Sequence, residues 1–124
     1  MVGTTTITTV NPGSLDHFAI SAISSPQTAG TAITGITLTA QDVNNNTVTS
    51  FSGAGNTVTY TGTAGITGTS ATFSSGVLSS VSVTPTVAGS SLTVTVTDGA
   101  SHTGSATITT VNPGALHHFA ISAI

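Results

Sequence analysis

The chain of 124 residues contains no lysine, no arginine and no cysteine, and its only acidic residues are Asp16, Asp42 and Asp98. Without a cation it has no means of neutralising nucleic-acid phosphates or anionic lipid headgroups, so we expect it to bind neither. The lack of cysteine excludes disulfide bonds and thiolate metal sites. No apolar run approaches the roughly 20 residues that a membrane-spanning helix needs, and we expect no membrane insertion.

The N-terminal residues also lack the features of a signal peptide. Met1 to Thr5 reads MVGTT, which has neither a basic segment nor an apolar one. If the parent protein is secreted, we expect its signal to lie outside this sequence.

One stretch of the chain occurs twice. Residues 3–23 read GTTTITTVNPGSLDHFAISAI, and residues 104–124 repeat them 101 positions later with four differences, at Thr4/Ser105, Thr5/Ala106, Ser14/Ala115 and Asp16/His117. Such self-similarity at a fixed period is the signature of a tandem array. It predicts that residues 1–13 are the last strand and linker of a preceding repeat, that residues 14–114 are one complete repeat, and that residues 115–124 are the first strand of a following repeat.

The rest of the chain shows alternation of apolar and polar residues and no helical period. Leu92, Val94 and Val96 alternate with threonines, and Asp98-Gly99 follows as a hairpin signal. Short strands with turns every 8–12 residues predict an all-β fold, an immunoglobulin-like two-sheet antiparallel sandwich of seven to eight strands. We expect strands at Thr4–Val10, His17–Ile23, Thr31–Gln41, Thr47–Ser52, Asn56–Thr61, Ala71–Ser74, Val77–Thr84, Leu92–Thr97 and Gly104–Val111.

The same alternation predicts which side chains are buried. Residues that share the apolar face of a strand are expected to form one core between the two sheets. These residues are Phe18, Ile20, Ile36, Leu38, Val58, Tyr60, Val81, Val83, Leu92, Val94, Val96 and Ile108.

Three segments together resemble a known family. They read TAGTAITGITLTAQDVNNNTVTSFSG, TFSSGVLSSVSVTPTVAGSSLTVTVTDG and GSATITTVNPG, and their order is similar to that of the tandem bacterial immunoglobulin-like repeats of large surface and secreted proteins, including invasin/intimin-type adhesins. The resemblance covers nearly all of the repeat, although many members have Gly-Asn where this chain has Asn45-Asn46. It implies a structural spacer or adhesive stalk without a catalytic site.

The turn after Gln41 is the best candidate for a metal site, and it is a weak one. Asp42, Asn44 and Asn46 place oxygens at positions 1, 3 and 5 of a calcium loop, but Thr47 and Gly53 stand where an EF-hand needs glycine and glutamate. The alternative is an ordinary turn in which Asp and Asn bond to their own backbone. We expect folding to be independent of calcium, with no cofactor.

The histidines and serines do not form a recognisable catalytic or metal motif. His17 and His118 are equivalent copies, while His117 replaces Asp16 and so does not recur. Adjacent residues of a strand point to opposite faces, so His117 and His118 are expected to diverge. We expect no catalytic residue and no enzyme activity.

The sequence therefore favours a structural repeat module of a bacterial cell-surface or extracellular protein. It would act as a stalk or spacer, or as a self-assembling fibre subunit that joins copies of itself head-to-tail by strand exchange. The alternative is an adhesin module that binds a host or matrix glycan or protein, which would need an exposed aromatic side chain or a distinctive loop. A glycan array or a pull-down would separate the two.

The assembly prediction depends on the duplicated strands. Each end of the chain carries a spare strand that fits a position in a neighbouring copy, and no lysine guards an exposed edge. The residues expected to pair in this way are Thr6, Ile7, Val10, Phe18, Ile20, Thr107, Ile108, Val111, Phe119 and Ile121.

Overall fold

The computed structural model describes residues 2–124; residue 1, which belongs to the predicted segment 1–13, lies outside the described residues. The described residues form an all-β fold without helices, and none of them lies in a helix long and apolar enough to cross a membrane. The strands are β1 (His17–Ile20), β2 (Gln27–Thr28), β3 (Ile33–Gln41), β4 (Thr59–Thr61), β5 (Val77–Val83), β6 (Gly89–Thr97) and β7 (Thr103–Asn112).

The strands form two sheets that enclose one core. One sheet has the order β1-β3-β5, and the other has the order β2-β7-β6-β4. All pairs are antiparallel except β2–β7, where Gln27 lies beside Val111 in parallel. The prediction of a wholly antiparallel sandwich is therefore wrong at this pair, because the chain crosses from one sheet to the other after β1 and keeps its direction.

Most of the buried side chains in the strands recur at every second residue, as the sequence pattern predicts. Every residue predicted to be buried is buried except Ile20, Tyr60 and Leu92, which are half-buried and pack against the edge of the core. Three phenylalanines, Phe18, Phe51 and Phe73, meet with ring centroids 4.9–5.7 Å apart. Phe51 packs edge-to-face with the other two, a geometry that aromatic rings favour, and Phe18 and Phe73 are tilted at 58° to each other.

The structure corrects two of the predicted strands. Thr47–Ser52 makes only a single bridge, between Gln41 and Thr47, and Ala71–Ser74 makes only one at Ser74. In the first segment Val48 and Phe51 are both buried. Residues three apart cannot face the same side of a strand, whose side-chain period is two. The chain therefore turns here, with the Phe51 amide donating to the Val48 carbonyl at 3.1 Å.

The sandwich has two poles, which we name after residues at each. At the Asp42 pole, β3 and β6 end and β1 and β7 begin; at the Ala29 pole, β3 and β6 begin and β7 ends. The chain enters β1 beside Asp42 and leaves β7 beside Ala29, where the Ala29 amide donates to the Asn112 carbonyl at 2.8 Å. Ten residues of β7 separate the poles by about 30 Å. The chain therefore enters and leaves the sandwich at opposite poles.

The duplicated terminal segments are not strands in this chain. Thr4–Val10 and His118–Ile124 contain no assigned strand and are exposed. The positions that they would take are filled by the chain's own β7, which lies between β2 and β6, and β1, which pairs with β3. Their pairing in a neighbouring copy stays a prediction.

Candidate functional site

The carboxylate of Asp42 is the most highly connected polar group that the structure describes. Its Oδ1 accepts hydrogen bonds from the amides of Asn44 (2.9 Å) and Asn46 (2.8 Å), and its Oδ2 accepts one from the Gly13 amide (2.8 Å). The Asn46 side-chain amide lies 3.2 Å from Oδ1 and 3.0 Å from Oδ2. Asp42 is only 3% exposed. Its oxygens close their own turn and hold the segment that precedes β1.

This geometry is that of a self-bonded turn rather than an open calcium loop. The donors around Asp42 are amides, which take the positions that a cation would need on the carboxylate. The other two candidates, Asn44 and Asn46, are exposed. Within residues 2–124, no three His, Cys, Asp or Glu side chains come together as metal ligands.

The hydrogen bonds also set the acidity of Asp42. The Gly13 amide, followed by the amide and side chain of Asn46, lowers the pKa of Asp42 from 3.8 to about 2. Donors that stabilise the charged form of a carboxylate lower its pKa in this way.

We expect acid to weaken the turn and release Gly13. Because the folded pKa lies below the unfolded one, the Asp42 carboxylate stabilises the fold above pH 3.8, and this contribution is lost as the pH falls through about 2. An NMR titration should show the Gly13 amide proton shifting together with the Asp42 carboxyl carbon. In Asp42→Asn, the free energy of unfolding should fall less steeply over this interval. A Gly13 shift that does not follow Asp42 would contradict the contact.

The histidines lie in local pairs. His17 Nδ1 is 2.8 Å from Asp16 Oδ2 and its Nε2 is 3.0 Å from Gln41 Oε1, and the bond to Asp16 raises the pKa of His17. The prediction that His117 and His118 diverge is wrong, because their segment is not a strand; their Nδ1 atoms lie 2.8 Å apart. Among the residues that the structure describes, neither pair has a third metal-ligating side chain beside it.

The predicted assembly residues divide into two groups with opposite environments. In the first copy of residues 15–23, Phe18 is 3% exposed and Leu15, Ile20 and Ile23 pack against the core; their counterparts are exposed, and Phe119 is 82% exposed. The N-terminal segment shows the same contrast at its apolar positions. Ile7 and Val10 are exposed, whereas the β7 residues at the equivalent positions, Ile108 and Val111, are buried. Thr6 and its β7 equivalent Thr107 are both exposed.

The C-terminal segment cannot replace β1 within its own chain. It leaves β7 at the Ala29 pole, whereas β1 begins at the Asp42 pole, about 30 Å away. The six residues from Asn112 to His118 span at most about 21 Å when fully extended. The segment therefore cannot reach the β1 position of its own sandwich.

Two shallow grooves lie at the edges of the sandwich. One of about 270 Å³ opens beyond the end of β1 and is lined by Ile23, Ile33 and Thr34 among others. The second, of about 240 Å³, lies between β4 and β5 and includes Tyr60, whose pKa is raised by burial. Tyr60 is the single titratable side chain among the residues lining these two grooves.

The chain matches no family model, no curated protein and no solved structure.

Proposed function

We propose that this chain is a structural repeat module of a bacterial cell-surface or extracellular protein, which serves as a stalk or spacer. Copies follow one another pole to pole, either along one chain or between chains by strand exchange. The neighbours of each module are copies of itself or adjacent repeats, arranged head-to-tail.

The observation that carries this proposal is the placement of one sequence at both poles. The stretch that enters the sandwich at the Asp42 pole recurs where the chain leaves the Ala29 pole. Its apolar side chains pack in one copy, as Phe18 does, and are exposed in the other, as Phe119 is. Exposed apolar side chains clustered in one segment mark an interaction site, and a following repeat would bury them as this repeat buries their counterparts.

The strand order supports the finer description of the fold as immunoglobulin-like. The first strand divides between the sheets, with β1 on β3 in one and β2 beside β7 in the other, and β6 pairs with β7. With β1 and β2 counted as one divided strand, the sandwich has six strands, one fewer than the seven-stranded immunoglobulin type, in an order that fits that type. It agrees with the resemblance to bacterial immunoglobulin-like repeats, and the family and the extracellular location are proposed on that basis.

Strand exchange between separate chains requires displacement. The incoming segment 118–124 takes the position of β1, so Phe119 gains about the burial that Phe18 loses. With both segments intact the exchange is nearly neutral in free energy, and concentration alone drives it. A substitution that destabilises β1 therefore favours its replacement by segment 118–124 of a neighbouring copy.

A matched pair of variants tests the proposal by light scattering. Phe18→Ala, or the milder Phe18→Leu, should increase the mean mass at a given concentration, because the intact segment around Phe119 then replaces β1 of a neighbour. Adding Phe119→Ala should abolish the increase. The chain that lacks both Met1–Val10 and His117–Ile124 is the monomeric reference, and single truncations show which segment is exchanged. If Phe18→Ala has the same mass as the reference at every concentration, strand exchange is contradicted.

The alternative of an adhesin module stays a prediction. Tyr60 in the groove between β4 and β5 is half-buried, and tyrosine is enriched at binding interfaces because its ring is apolar and its hydroxyl is polar. A glycan array with the doubly truncated chain separates ligand binding by the sandwich from association through its ends.

A further inference from the structure

The linker Asn-Pro-Gly occurs at both poles and makes a different contact at each. At the Ala29 pole, the Asn112 carbonyl accepts a hydrogen bond from the Ala29 amide at 2.8 Å, and Gly114 lies so close that an added Cβ would be 2.7 Å from the Ala29 carbonyl oxygen. At the Asp42 pole, the Gly13 amide donates to the Asp42 carboxylate at 2.8 Å.

These contacts use different atoms of the linker. The Ala29 pole uses the asparagine carbonyl and the glycine α-carbon, whereas the Asp42 pole uses the glycine N–H group. One linker can therefore make both contacts without competition. In this chain the first copy makes the contact with Asp42, and the second copy makes the contact with Ala29.

We infer that the Asp42 carboxylate is a docking site for the linker of the preceding repeat, and that each Asn-Pro-Gly in an array is held from both sides. The preceding repeat holds it through Ala29, and the following repeat holds it through Asp42. This inference rests on the proposed function and adds that the stalk is stiff at its junctions.

The backbone between the two contacts has little freedom. Only Pro113 lies between the carbonyl of Asn112 and the amide of Gly114, and the proline ring fixes its φ near −65°. After the glycine, the chain is held again, since the Asp16 amide donates to the Gln41 carbonyl at 2.9 Å just before β1. Neighbouring domains joined by a linker usually move relative to one another, and this junction leaves essentially one backbone torsion for such motion.

The charges of the two poles permit this close approach. Asp16, Asp42 and Asp98 all lie at the Asp42 pole, where β1 begins and β3 and β6 end. The Ala29 pole, which includes Gly30 and Pro85, carries no charged side chain. An acidic pole therefore meets a neutral one in a head-to-tail array, and the junction does not bring like charges together.

Asp42 also has the rigidity that a docking site requires. Its turn holds the carboxylate through Asn44 and Asn46, independently of the linker. The side chain is thus oriented before Gly13 binds. A preorganised acceptor of this kind loses little conformational entropy when the linker docks.

The test uses a two-repeat protein, in which residues 1–114 are followed directly by residues 14–124. Its central Asn112-Pro113-Gly114 then serves both repeats. Residual dipolar couplings should fit one common alignment tensor for the two sandwiches. The Gly114 amide proton should shift in acid together with Asp42 of the second repeat.

Two variants show whether Asp42 and the short linker cause the stiffness. Asp42→Ala in the second repeat, or two glycines inserted between Pro113 and Gly114, should each give separate tensors for the two repeats. The control is Asp98→Ala in the second repeat. It removes another largely buried carboxylate that closes its own turn at the same pole, through the amides of Ala100 and His102, and it should leave the common tensor unchanged.

The outcomes distinguish the docking of the linker at Asp42 from the proposed function as a spacer. Separate tensors in the unaltered two-repeat protein, or a common tensor that survives Asp42→Ala, would overturn the docking of the linker. In both cases an extended envelope in small-angle scattering would leave the role as a spacer intact. Collapse of the two repeats side by side would instead contradict the spacer itself.

Discussion

Replacing Phe18 with alanine should lower the free energy of unfolding by about 3–5 kcal/mol, whereas Phe119→Ala should leave it almost unchanged. Phe18 is 3% exposed, and its ring centroid lies 5.2 Å from that of Phe51 and 5.7 Å from that of Phe73. Truncation removes these contacts and leaves a cavity. Phe119 has the same neighbours in sequence, HFAI, but is 82% exposed.

Urea unfolding of the two variants, followed by circular dichroism at low protein concentration, measures this difference. Low concentration matters because association would itself bury Phe119. Because the two sites share one local sequence, the same atoms are removed from the same sequence context, and the comparison reports on the packing of Phe18 within β1. Equal losses at Phe18 and Phe119 would contradict the assignment of β1 to the first copy.

Leu38→Ala should cost about 2–5 kcal/mol, and Leu92→Ala about 1 kcal/mol. Leu38 lies on the central strand β3 and is 1% exposed, whereas Leu92 lies near the start of β6, is half-buried and packs at the margin of the core. The substitution is the same at both sites, so the difference reports on burial alone.

Thermal and urea unfolding of this second pair complete the test of the core. A loss at Leu92 as large as that at Leu38 would mean that the Ala29 pole is covered, as it would be in an assembly. Repeating the measurement with the doubly truncated chain removes that contribution. A small loss at Leu38 would contradict the placement of β3 in the centre of its sheet.

The strands that sequence reasoning identified are those with a sustained two-residue period. β3, β5, β6 and β7 all carry an apolar residue at every second position over part of their length, and their predicted bounds differ from the observed ones by a few residues. The period is informative here because one face of each strand is buried and the other is exposed.

The region between β3 and β5 could not be predicted in the same way. Val48, Phe51, Ala64, Ile66 and Phe73 are all buried, yet none of them lies in an assigned strand. A turn can direct any residue toward the core, so the burial of these side chains follows no period. The burial of Phe51 and Phe73 had one signal in the sequence, their residue type, because large aromatic side chains favour the core.

The candidate site was predicted in part. The equivalence of residues such as Phe18 and Phe119 could be predicted, because residues 3–23 recur almost unchanged at 104–124 and this identity can be read from the sequence. The bond between Gly13 and Asp42 was missed, since the two residues are 29 positions apart and only the fold brings them together. The turn around Asp42 was predicted, but no pattern in the neighbouring sequence indicates that Asp42 also binds Gly13 of the linker.

The positions of the termini determine how the module responds to a pulling force. With the chain attached at opposite poles, tension acts along the strands. It loads the parallel contact between β2 and β7, where Gln27 lies beside Val111 and the Thr110 amide donates to Ser25 Oγ at 3.0 Å. These bonds lie across the direction of the load, so they must break together in shear rather than one after another. A module that serves as a stalk, as proposed, would gain mechanical strength from this arrangement.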